Sequence, residues 1–413
     1  MVLGGDGGTG LGLTDTEPAQ VDAVALRRGR LERVRRMMGE QDYAALILFD
    51  PNNQRYATGS RNMFGYFLRN STRYFLINRE GPIILFEYPQ SAHVSTCLET
   101  VDEARHSKLV WSSVAGRDDE TARPFAAEIA DLVREHGNGL TKVGLDRCGH
   151  GQALALQAEG LNVMDCQQEL LAVRAVKTAE EVSCLQLSMA ASEAAVAAVQ
   201  SAIVPGVSET ELFARMYGAA IQGGCEMIET RLLASGPRTN PWFKEASARR
   251  LRPGELVALD TDTIGCFGYY SDFSRTFFCG PGRPTTDQRT LYQMAYDQVQ
   301  HNIDIIRPGK SFRQIADEAW AIPQRFVNQR YTSVMHGVGM HGESPFIAHA
   351  MDFAQFGRDG VLQPGMVVSV ESYIGEEGGR EGVKLEEEVL VTETGPALIS
   401  RYPFEEGLLS REV

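Results

Sequence analysis

The chain has 413 residues, of which 43% are hydrophobic and 23% charged, so it is long enough for two domains with sizeable cores. Its net charge of −14 argues against nonspecific binding to nucleic acid or to anionic membranes, and we expect neither partner. No apolar run approaches the roughly 20 residues that span a bilayer, and the N-terminus lacks the features of a signal peptide. The seven scattered cysteines form no CxxC pair, which indicates reduced thiols and a cytoplasmic location.

The first part of the chain alternates predicted helices with predicted strands. Residues 1–20 are rich in glycine and are interpreted as a loose leader. The predicted elements that follow are a helix at 21–41, strands at 44–49, 74–77 and 83–86, a helix at 122–136, a strand at 142–145 and a helix at 153–160. This alternation predicts an α/β N-terminal domain over residues 21–170.

The second part, residues 171–413, begins with local signals that occur twice. A capping box at Thr178 opens a long alanine-rich helix, and a Pro-Gly break then precedes a second helix capped at Ser208. Another Pro-Gly break precedes a predicted helix at 312–326. The repetition predicts an α+β domain of two related halves. Its last predicted strands lie at 367–371, 383–386 and 389–392.

Residues 256–278 carry the strongest chemical signal in the chain. An apolar run leads into Asp260 and Asp262, which share one face if the strand stays extended. Two glycines then permit a tight reversal that returns the chain to Asp272. Carboxylates crowded against apolar strands are costly unless a cation neutralises them. This stretch alone is therefore either a divalent-metal site or a solvated acidic hairpin tip.

Three further donors stand near the ends of predicted strands in the same domain. His336 opens a His-Gly-Val-Gly turn, Glu371 ends an apolar strand, and Glu386 begins an acidic triplet. Each of these taken singly is commonly a structural histidine or a solvated carboxylate. Together with the aspartates, their number and type suit two divalent ions bridged by carboxylates. Iron, manganese, cobalt and zinc all suit such donors.

This order of donors resembles the pita-bread metallopeptidases, which include aminopeptidase P, prolidase and methionine aminopeptidase, with creatinase as a metal-free relative. The resemblance rests on the Gly-Tyr-x-x-Asp hairpin, the His-Gly-x-Gly turn and a late Glu-x-x-x-x-Val-Thr strand. It implies a creatinase/prolidase-like N-terminal domain and a pita-bread C-terminal domain with two pseudo-symmetric halves. It also implies a homodimer, and it implies that the metal ligands are Asp262, Asp272, His336, Glu371 and Glu386.

The chain departs from the peptidases at three places. Asp262 and Asp272 are ten positions apart, one fewer than in the peptidases, and Asp260 is additional. The first substrate-facing histidine of the peptidases would fall near residues 240–243, where no histidine occurs. Their second histidine would fall at Gly342. A pocket without these two histidines is a poor candidate for cleaving Xaa-Pro bonds.

Within the family, the Asp-x-Asp start and the short spacing most resemble the dimethylsulfoniopropionate lyases, and the likeness extends to residues 55–63. That branch implies that metal ions hold the substrate carboxylate while a base removes the proton alpha to it, releasing dimethyl sulfide and acrylate. It implies six metal donors, namely Asp260, Asp262, Asp272, His336, Glu371 and Glu386. Trp242, Phe243 and Tyr270 are the candidates for contact with the sulfonium. Core packing is the alternative role of these aromatic residues.

The catalytic base of that branch is an aspartate at the position of Gly342. His341, Glu343 and Tyr269 are therefore the candidate catalytic residues here. Two other functions remain open. The chain is either a metal-dependent hydrolase of the Xaa-Pro peptidase type, with metal-bound hydroxide as nucleophile, or a non-enzymatic ligand- or partner-binding relative. As an enzyme of either type it acts on a small-molecule substrate.

Overall fold

A computed structural model of the chain describes residues 20–110 and 118–409. The chain divides into two compact units, with the division between Val173 and Arg174. The leader expected at residues 1–20 lies, except for Gln20, outside the described residues.

The first unit is a six-stranded sheet with helices packed against it. Its strands follow the order β4-β3-β2-β1-β5-β6, in which β1 pairs antiparallel with β2 and parallel with β5. Apolar side chains of the central strands and of α4 form the core. The predicted elements are confirmed, including the β2–β3 hairpin. Their bounds are α1 Ala23–Glu40, β1 Ala45–Leu48, α2 Pro51–Thr58, α3 Phe64–Phe67, β2 Tyr74–Asn78, β3 Ile83–Glu87, β4 Glu103–His106, α4 Asp118–His136, β5 Lys142–Leu145, α5 His150–Ala158, β6 Asn162–Asp165 and α6 Gln167–Ala175.

The second unit combines helices with three antiparallel sheets. The largest sheet has the order β14-β13-β15-β16-β17, and the two smaller ones are β12-β9-β8 and β11-β10-β7. The helices are α7 Ala179–Gln200, α8 Glu209–Gln222, α9 Thr286–Asp304, α10 Phe312–Glu318 and α11 Phe353–Phe356. The strands are β7 Met227–Ile228, β8 Leu233–Ser235, β9 Leu256–Asp260, β10 Thr263–Ile264, β11 Tyr270–Ser271, β12 Ser274–Phe278, β13 Met335–Val338, β14 Gly342–Ile347, β15 Val367–Gly375, β16 Gly382–Thr392 and β17 Gly395–Leu398.

Four helices of this unit follow one another along the chain in two successions, α7 then α8 and α9 then α10, and each of these four begins with a capping box. The predicted repetition of helix, break and capped helix is therefore present. One expected length is wrong: α10 ends at Glu318, whereas the sequence suggested a helix to residue 326. Pro323 explains the difference, because proline donates no backbone hydrogen bond and disfavours helix at the preceding residue.

Helix α7 is long enough and apolar enough to cross a membrane by length and composition alone. The expectation that no apolar run approaches the length of a membrane span is therefore wrong for this alanine-rich segment. In the second unit α7 packs against α8 and β11, and half of its most apolar window is buried. These contacts are typical of the core helix of a globular unit.

Two strand pairs carry the acidic residues. In β9–β12, Asp260 lies opposite Ser274, and in β15–β16, Glu371 lies opposite Glu386. The strands expected at 383–386 and 389–392 are a single strand, β16, because the acidic triplet between them is buried in the sheet rather than exposed in a turn.

Candidate metal centre

The imidazole of His336 lies among three carboxylates from different strands. Its Nε2 atom is 2.8 Å from Glu371 Oε1, 3.4 Å from Asp272 Oδ2 and 4.0 Å from Glu386 Oε1. Ligand atoms of Asp272, His336 and Glu386 all lie within 4.8 Å of one another. Residues that are far apart in the sequence therefore converge on one small volume.

The three aspartates form a second group next to the first. Their ligand atoms also lie within 4.8 Å of one another, and Asp272 belongs to both groups. The five carboxylates are almost completely buried, whereas His336 is partly exposed. We call the whole set the acidic cage: Asp260, Asp262, Asp272, His336, Glu371 and Glu386.

Asp262 reaches the cage by a break in the strand. Its φ of 41° interrupts the extended chain after Asp260. The sequence suggested that the two aspartates are alternate residues of one strand, and this expectation is wrong. Two hydroxyl groups fix the Asp262 carboxylate. Tyr270 donates a hydrogen bond of 2.6 Å to Oδ1, and Thr230 donates one to Oδ2. Thr230 gave no signal in the sequence.

Lys384 is the main member of the site that sequence reasoning missed. Its Nζ atom is 2.7 Å from Glu371 Oε2 and 2.9 Å from Glu386 Oε2. It also lies 3.6 Å from Asp260 Oδ2 and donates a hydrogen bond of 2.8 Å to Ser274. A signal was present, because a lysine two positions before Glu386 in a strand shares its face.

The acidic triplet that begins at Glu386 is buried, although such triplets are usually solvated. Glu387 pairs with the buried Arg275 at 2.7 Å. Glu388 accepts a hydrogen bond of 3.0 Å from the backbone N–H of Asp272. The triplet thus contributes one cage residue, one structural ion pair and one contact that positions Asp272.

The carboxylates of the cage strongly perturb one another. Burial, followed by the charges of Glu386 and Asp260, raises the pKa of Asp272 well above its ordinary value. Burial and then Asp260 raise the pKa of Asp262 to about 7. Burial alone would lower the pKa of His336, but its hydrogen bond to Glu371 and the nearby charges raise it to about 9. Without added positive charge, the cage therefore retains protons near neutral pH.

The donor set fits divalent cations. His336 Nδ1 lies 3.0 Å from the backbone oxygen of Gly337, so Nδ1–H can donate there while a metal ion replaces the proton that Nε2 shares with Glu371. Glu386 Oε1 is buried and has no hydrogen-bond partner among the described residues. A ring nitrogen that faces carboxylate oxygens, one of them unpartnered, is an arrangement that a metal ion stabilises.

Aromatic side chains lie beside the cage. The centroid of the Tyr331 ring lies 4.6 Å from Lys384 Nζ and 5.6 Å from the centroid of the Phe243 ring. Phe243 is 56% exposed, whereas Trp242 is buried against Tyr373 with ring centroids 6.3 Å apart. Sequence reasoning selected Trp242 and Phe243 but missed Tyr331, which no local pattern distinguishes.

The hydroxyl groups of two predicted site tyrosines are used internally. Tyr269 donates a hydrogen bond of 2.7 Å to Glu181, and its side chain is buried. Tyr270 is also buried and holds Asp262, as described above. These contacts argue against Tyr269 as a base and against Tyr270 as a direct substrate contact.

Glu343 is held in a buried ion pair. Its Oε1 atom lies 2.7 Å from Arg174 Nη2. Burial alone would raise the pKa of Glu343, but Arg174 and Lys177 outweigh it and lower the pKa to about 2. Gly342 and Glu343 are neighbours in β14, so their side-chain directions lie on opposite faces. A carboxylate in this position is a weak base, and this argues against Glu343 as a catalytic residue.

At Gly342, the other face of β14 lies next to His336 of the cage. A Cβ atom added at Gly342 would contact only the His336 ring, at 3.6 Å, which is ordinary van der Waals distance. Gly342 itself is exposed, and His341 beside it is partly exposed. Buried partners hold two of the three candidate bases, Tyr269 and Glu343, in contacts that argue against a catalytic role. His341 is the remaining candidate.

Comparisons with known proteins agree on the family. Residues 183–393 match the model of metallopeptidase family M24, and residues 30–176 match the creatinase/prolidase N-terminal domain. Dimethylsulfoniopropionate lyase DddP of Roseovarius nubinhibens is 34% identical over 396 residues, covering 94% of this chain and 89% of that protein. The protein of the same name from Roseobacter denitrificans is also 34% identical, with 95% and 89% covered. The probable dipeptidase PepE of Mycobacterium bovis is 29% identical over 56% of this chain and 60% of that protein.

Solved structures confirm the fold prediction. Dipeptidase PepE from Mycobacterium ulcerans has a TM-score of 0.73 at 24% identity and covers 93% of this chain and 98% of that one. The Xaa-Pro dipeptidase from Bacillus anthracis also has a TM-score of 0.73, at 23% identity, with 92% and 99% covered. The predicted architecture, a creatinase-type domain followed by a pita-bread domain, is therefore confirmed. The chain belongs to metallopeptidase family M24, whose enzymes generally depend on two metal ions, and it carries the creatinase/prolidase N-terminal domain.

Proposed function

We propose that the chain is a binuclear-metal-dependent lyase that cleaves dimethylsulfoniopropionate to dimethyl sulfide and acrylate. One observation carries the proposal: Asp260 joins the five donors shared with the peptidases in a single buried cage. Similarity to two dimethylsulfoniopropionate lyases over nearly the whole chain supports the same reaction.

The acidic cage is the proposed metal site, with all six of its members as ligands. Two divalent ions bound there would hold the substrate carboxylate and stabilise the negative charge that develops beside it. The protein's own contribution is orientation. Tyr270 and Thr230 fix Asp262, and the backbone contact with Glu388 fixes Asp272. Iron, manganese, cobalt and zinc all remain candidates for the ions.

The aromatic group beside the cage is the proposed site for the sulfonium end of the substrate. Phe243 and Tyr331 offer ring faces next to the cage, and Phe243 remains accessible. Attraction between a cation and an aromatic face contributes about 0.5–2 kcal/mol when the pair is desolvated. The buried indole N–H of Trp242 has no partner among the described residues, so it is available for a polar substrate group.

His341 is the proposed base. It lies beside Gly342, on the segment that connects β13 with β14. In this step the base removes the proton from the carbon next to the carboxylate. The electron pair forms the new C=C bond, and the C–S bond breaks with its electrons on sulfur, so neutral dimethyl sulfide leaves. A histidine suits this step because a ring nitrogen of the neutral imidazole can accept the proton.

Product analysis tests the proposed reaction. Metal-loaded protein is incubated with dimethylsulfoniopropionate, and dimethyl sulfide is measured in the headspace and acrylate in solution. We expect equal amounts of both products, and we expect Asp272→Ala to abolish them because it removes a donor shared by both groups of the cage. Asp297→Ala, at an exposed position on α9, is the matched control and should retain activity. Metal-loaded protein that released neither product would refute the proposal.

A hydrolase of the Xaa-Pro peptidase type is the second candidate, because dipeptidases share the fold and part of the sequence. Residues 240–243, where the peptidases would have their first substrate-facing histidine, contain no histidine. Asn240 is instead structural: it donates to the backbone oxygens of Glu376 and Gly379 and accepts from Tyr373. Turnover of any member of a panel of Xaa-Pro dipeptides would favour the hydrolase.

We also propose that the chain forms a homodimer in the cytoplasm, as its resemblance to the family implies. No disulfide joins any two of the seven cysteines in the structure, which agrees with a reducing compartment. Sedimentation equilibrium of the full chain tests the dimer, and a single species of monomer mass would contradict it.

A further inference from the structure

Lys384 contacts three carboxylates of the acidic cage, although it is not a ligand and takes no part in the proposed proton transfer. Its side chain is completely buried between strands that carry cage residues. Four oxygen atoms surround its ammonium group, from Glu371, Glu386, Asp260 and Ser274. An amine enclosed by three carboxylates and a hydroxyl group is stabilised as the charged ammonium by these ion pairs. Lys384 therefore contributes one positive charge at the cage.

The ammonium group contacts the corresponding carboxylate oxygen of each of the two glutamates. It contacts Oε2 of Glu371 and Oε2 of Glu386, at 2.7 and 2.9 Å. The Oε1 atoms of both glutamates are left on the side of His336 Nε2, at 2.8 and 4.0 Å. One oxygen of each glutamate thus contacts Lys384, and the other faces His336 Nε2, where the ions are proposed to bind.

A charge count shows what this lysine adds. The cage holds five carboxylates and, when metal is bound at Nε2, a neutral imidazole. Two divalent ions supply four positive charges to this set of five negative charges, which leaves one negative charge. The single charge of Lys384 brings the site to neutrality. A buried site with unbalanced charge is costly in a medium of low dielectric constant.

We propose that Lys384 is a built-in counter-ion that matches the cage to two divalent cations and orients Glu371 and Glu386 toward them. The inference rests on the proposed metal site and deepens it. It explains why a lysine is tolerated in the middle of a cation site: without it the loaded cage would carry a negative charge and would favour an ion of higher charge.

Competition between a divalent and a trivalent ion tests the inference without measuring turnover. The affinities of Mn²⁺, by calorimetry, and of Tb³⁺, by luminescence, are measured for the full-length protein and for Lys384→Met, which keeps the length of the side chain but not its charge. We expect the ratio of Tb³⁺ to Mn²⁺ affinity to rise at least about tenfold in Lys384→Met, because the extra charge of Tb³⁺ no longer faces a buried cation. Ser274→Ala removes a hydrogen-bonding partner of Lys384, Asp260 and Glu386 but no charge. The affinities for both ions should therefore change together, and their ratio should match that of the unmodified protein.

The outcomes separate this inference from the proposed function. Unmodified protein that bound neither ion would overturn the metal site itself. Unmodified protein that bound two Mn²⁺ ions, with an unchanged affinity ratio in Lys384→Met, would overturn only the role of Lys384. If the methionine variant does not fold, Lys384→Gln replaces it with the same expected ratio. Failure of both variants to fold even with metal present would also overturn the inference, since a loaded cage should fold without the lysine.

Discussion

Among single residues, Gly342 decides whether the His336 face of β14 carries a side chain. A side chain there would point at His336, yet glycine supplies none. Glu343 beside it leaves the strand on the opposite face and is paired with Arg174. The cage therefore has no carboxylate base on this strand, and the proposed base, His341, is a substitute.

Gly342→Asp should raise lyase activity, because it returns a carboxylate to the His336 face of β14. The new Cβ atom would meet only the His336 ring at 3.6 Å, and the glycine has no positive φ that would strain an aspartate. Initial rates of dimethyl sulfide release measure the effect. Gly342→Asn, which has the same size but no basic oxygen, is the control. An aspartate variant no faster than the asparagine variant would argue against a missing base at this position.

Glu343→Gln should destabilise the protein at neutral pH. The pKa of Glu343 is lowered to about 2 by Arg174 and Lys177, so its ionised form stabilises the fold above the ordinary pKa of about 4.5 and loses that effect as the pH falls toward 2. A shift of this size corresponds to about 3 kcal/mol of unfolding free energy at pH 7. Urea unfolding of both proteins at pH 7 and at pH 3 measures it.

The loss should shrink at the lower pH. Glu318→Gln, in an exposed pair with Lys310, is the control and should change the stability by less than about 1 kcal/mol. A destabilisation by Glu343→Gln that was equal at both pH values would show that its carboxylate is not the ionised partner of Arg174.

At the scale of elements, the hairpin from β9 to β12 assigns different tasks to two adjacent tyrosines. Tyr270→Phe removes the hydrogen bond to Asp262, so we expect metal affinity to fall about 10–100-fold, as for other groups that orient a ligand. Tyr269→Phe removes the hydrogen bond to Glu181 on α7 and should lower thermal stability with little change in metal affinity. Calorimetric metal titration and thermal denaturation of both variants distinguish the two tasks. Equal effects on metal affinity would contradict this division.

The strands show how far the sequence predicts this site. The spacing of Asp260, Asp262 and Asp272 predicts a hairpin, and a hairpin is present, but the turn to a positive φ at Asp262 follows from tertiary contacts with Thr230 and Tyr270. Such partners leave no local pattern. Thr230, like Tyr331, could therefore not be found from the sequence.

Strand β16 is the opposite case, in which a local sequence pattern does indicate a residue of the site. Lys384, Glu386 and Glu388 alternate along one strand and so share a face, and Glu371 lies opposite Glu386 across the pair. The alternation predicts that any cation bound by Glu386 has Lys384 as a neighbour. Acidic triplets are usually solvated, and the burial of this one depends on the whole sheet rather than on the local sequence.

At the scale of the whole molecule, metal binding should stabilise one unit selectively. The acidic cage lies entirely within residues 174–413, and residues 20–110 and 118–173 contribute no ligand to it. Removal of metal by a chelator should therefore lower the unfolding temperature of the second unit and leave that of the first nearly unchanged. At a free metal concentration 100 times the dissociation constant, each site contributes about 2.7 kcal/mol.

Differential scanning calorimetry with and without chelator measures this effect, and limited proteolysis identifies which unit each transition belongs to. Asp272→Ala is the matched variant and should respond little to the chelator, because a donor of both groups is gone. Equal shifts of both transitions in the unmodified protein would contradict a site confined to the second unit.

Anomalous X-ray diffraction from crystals of the manganese-loaded protein locates the bound ions. We expect two anomalous peaks inside the acidic cage, each within coordination distance of carboxylate oxygens, with His336 Nε2 bound to one ion and Lys384 in contact with neither. A single peak, or peaks outside the six proposed ligands, would contradict this expectation.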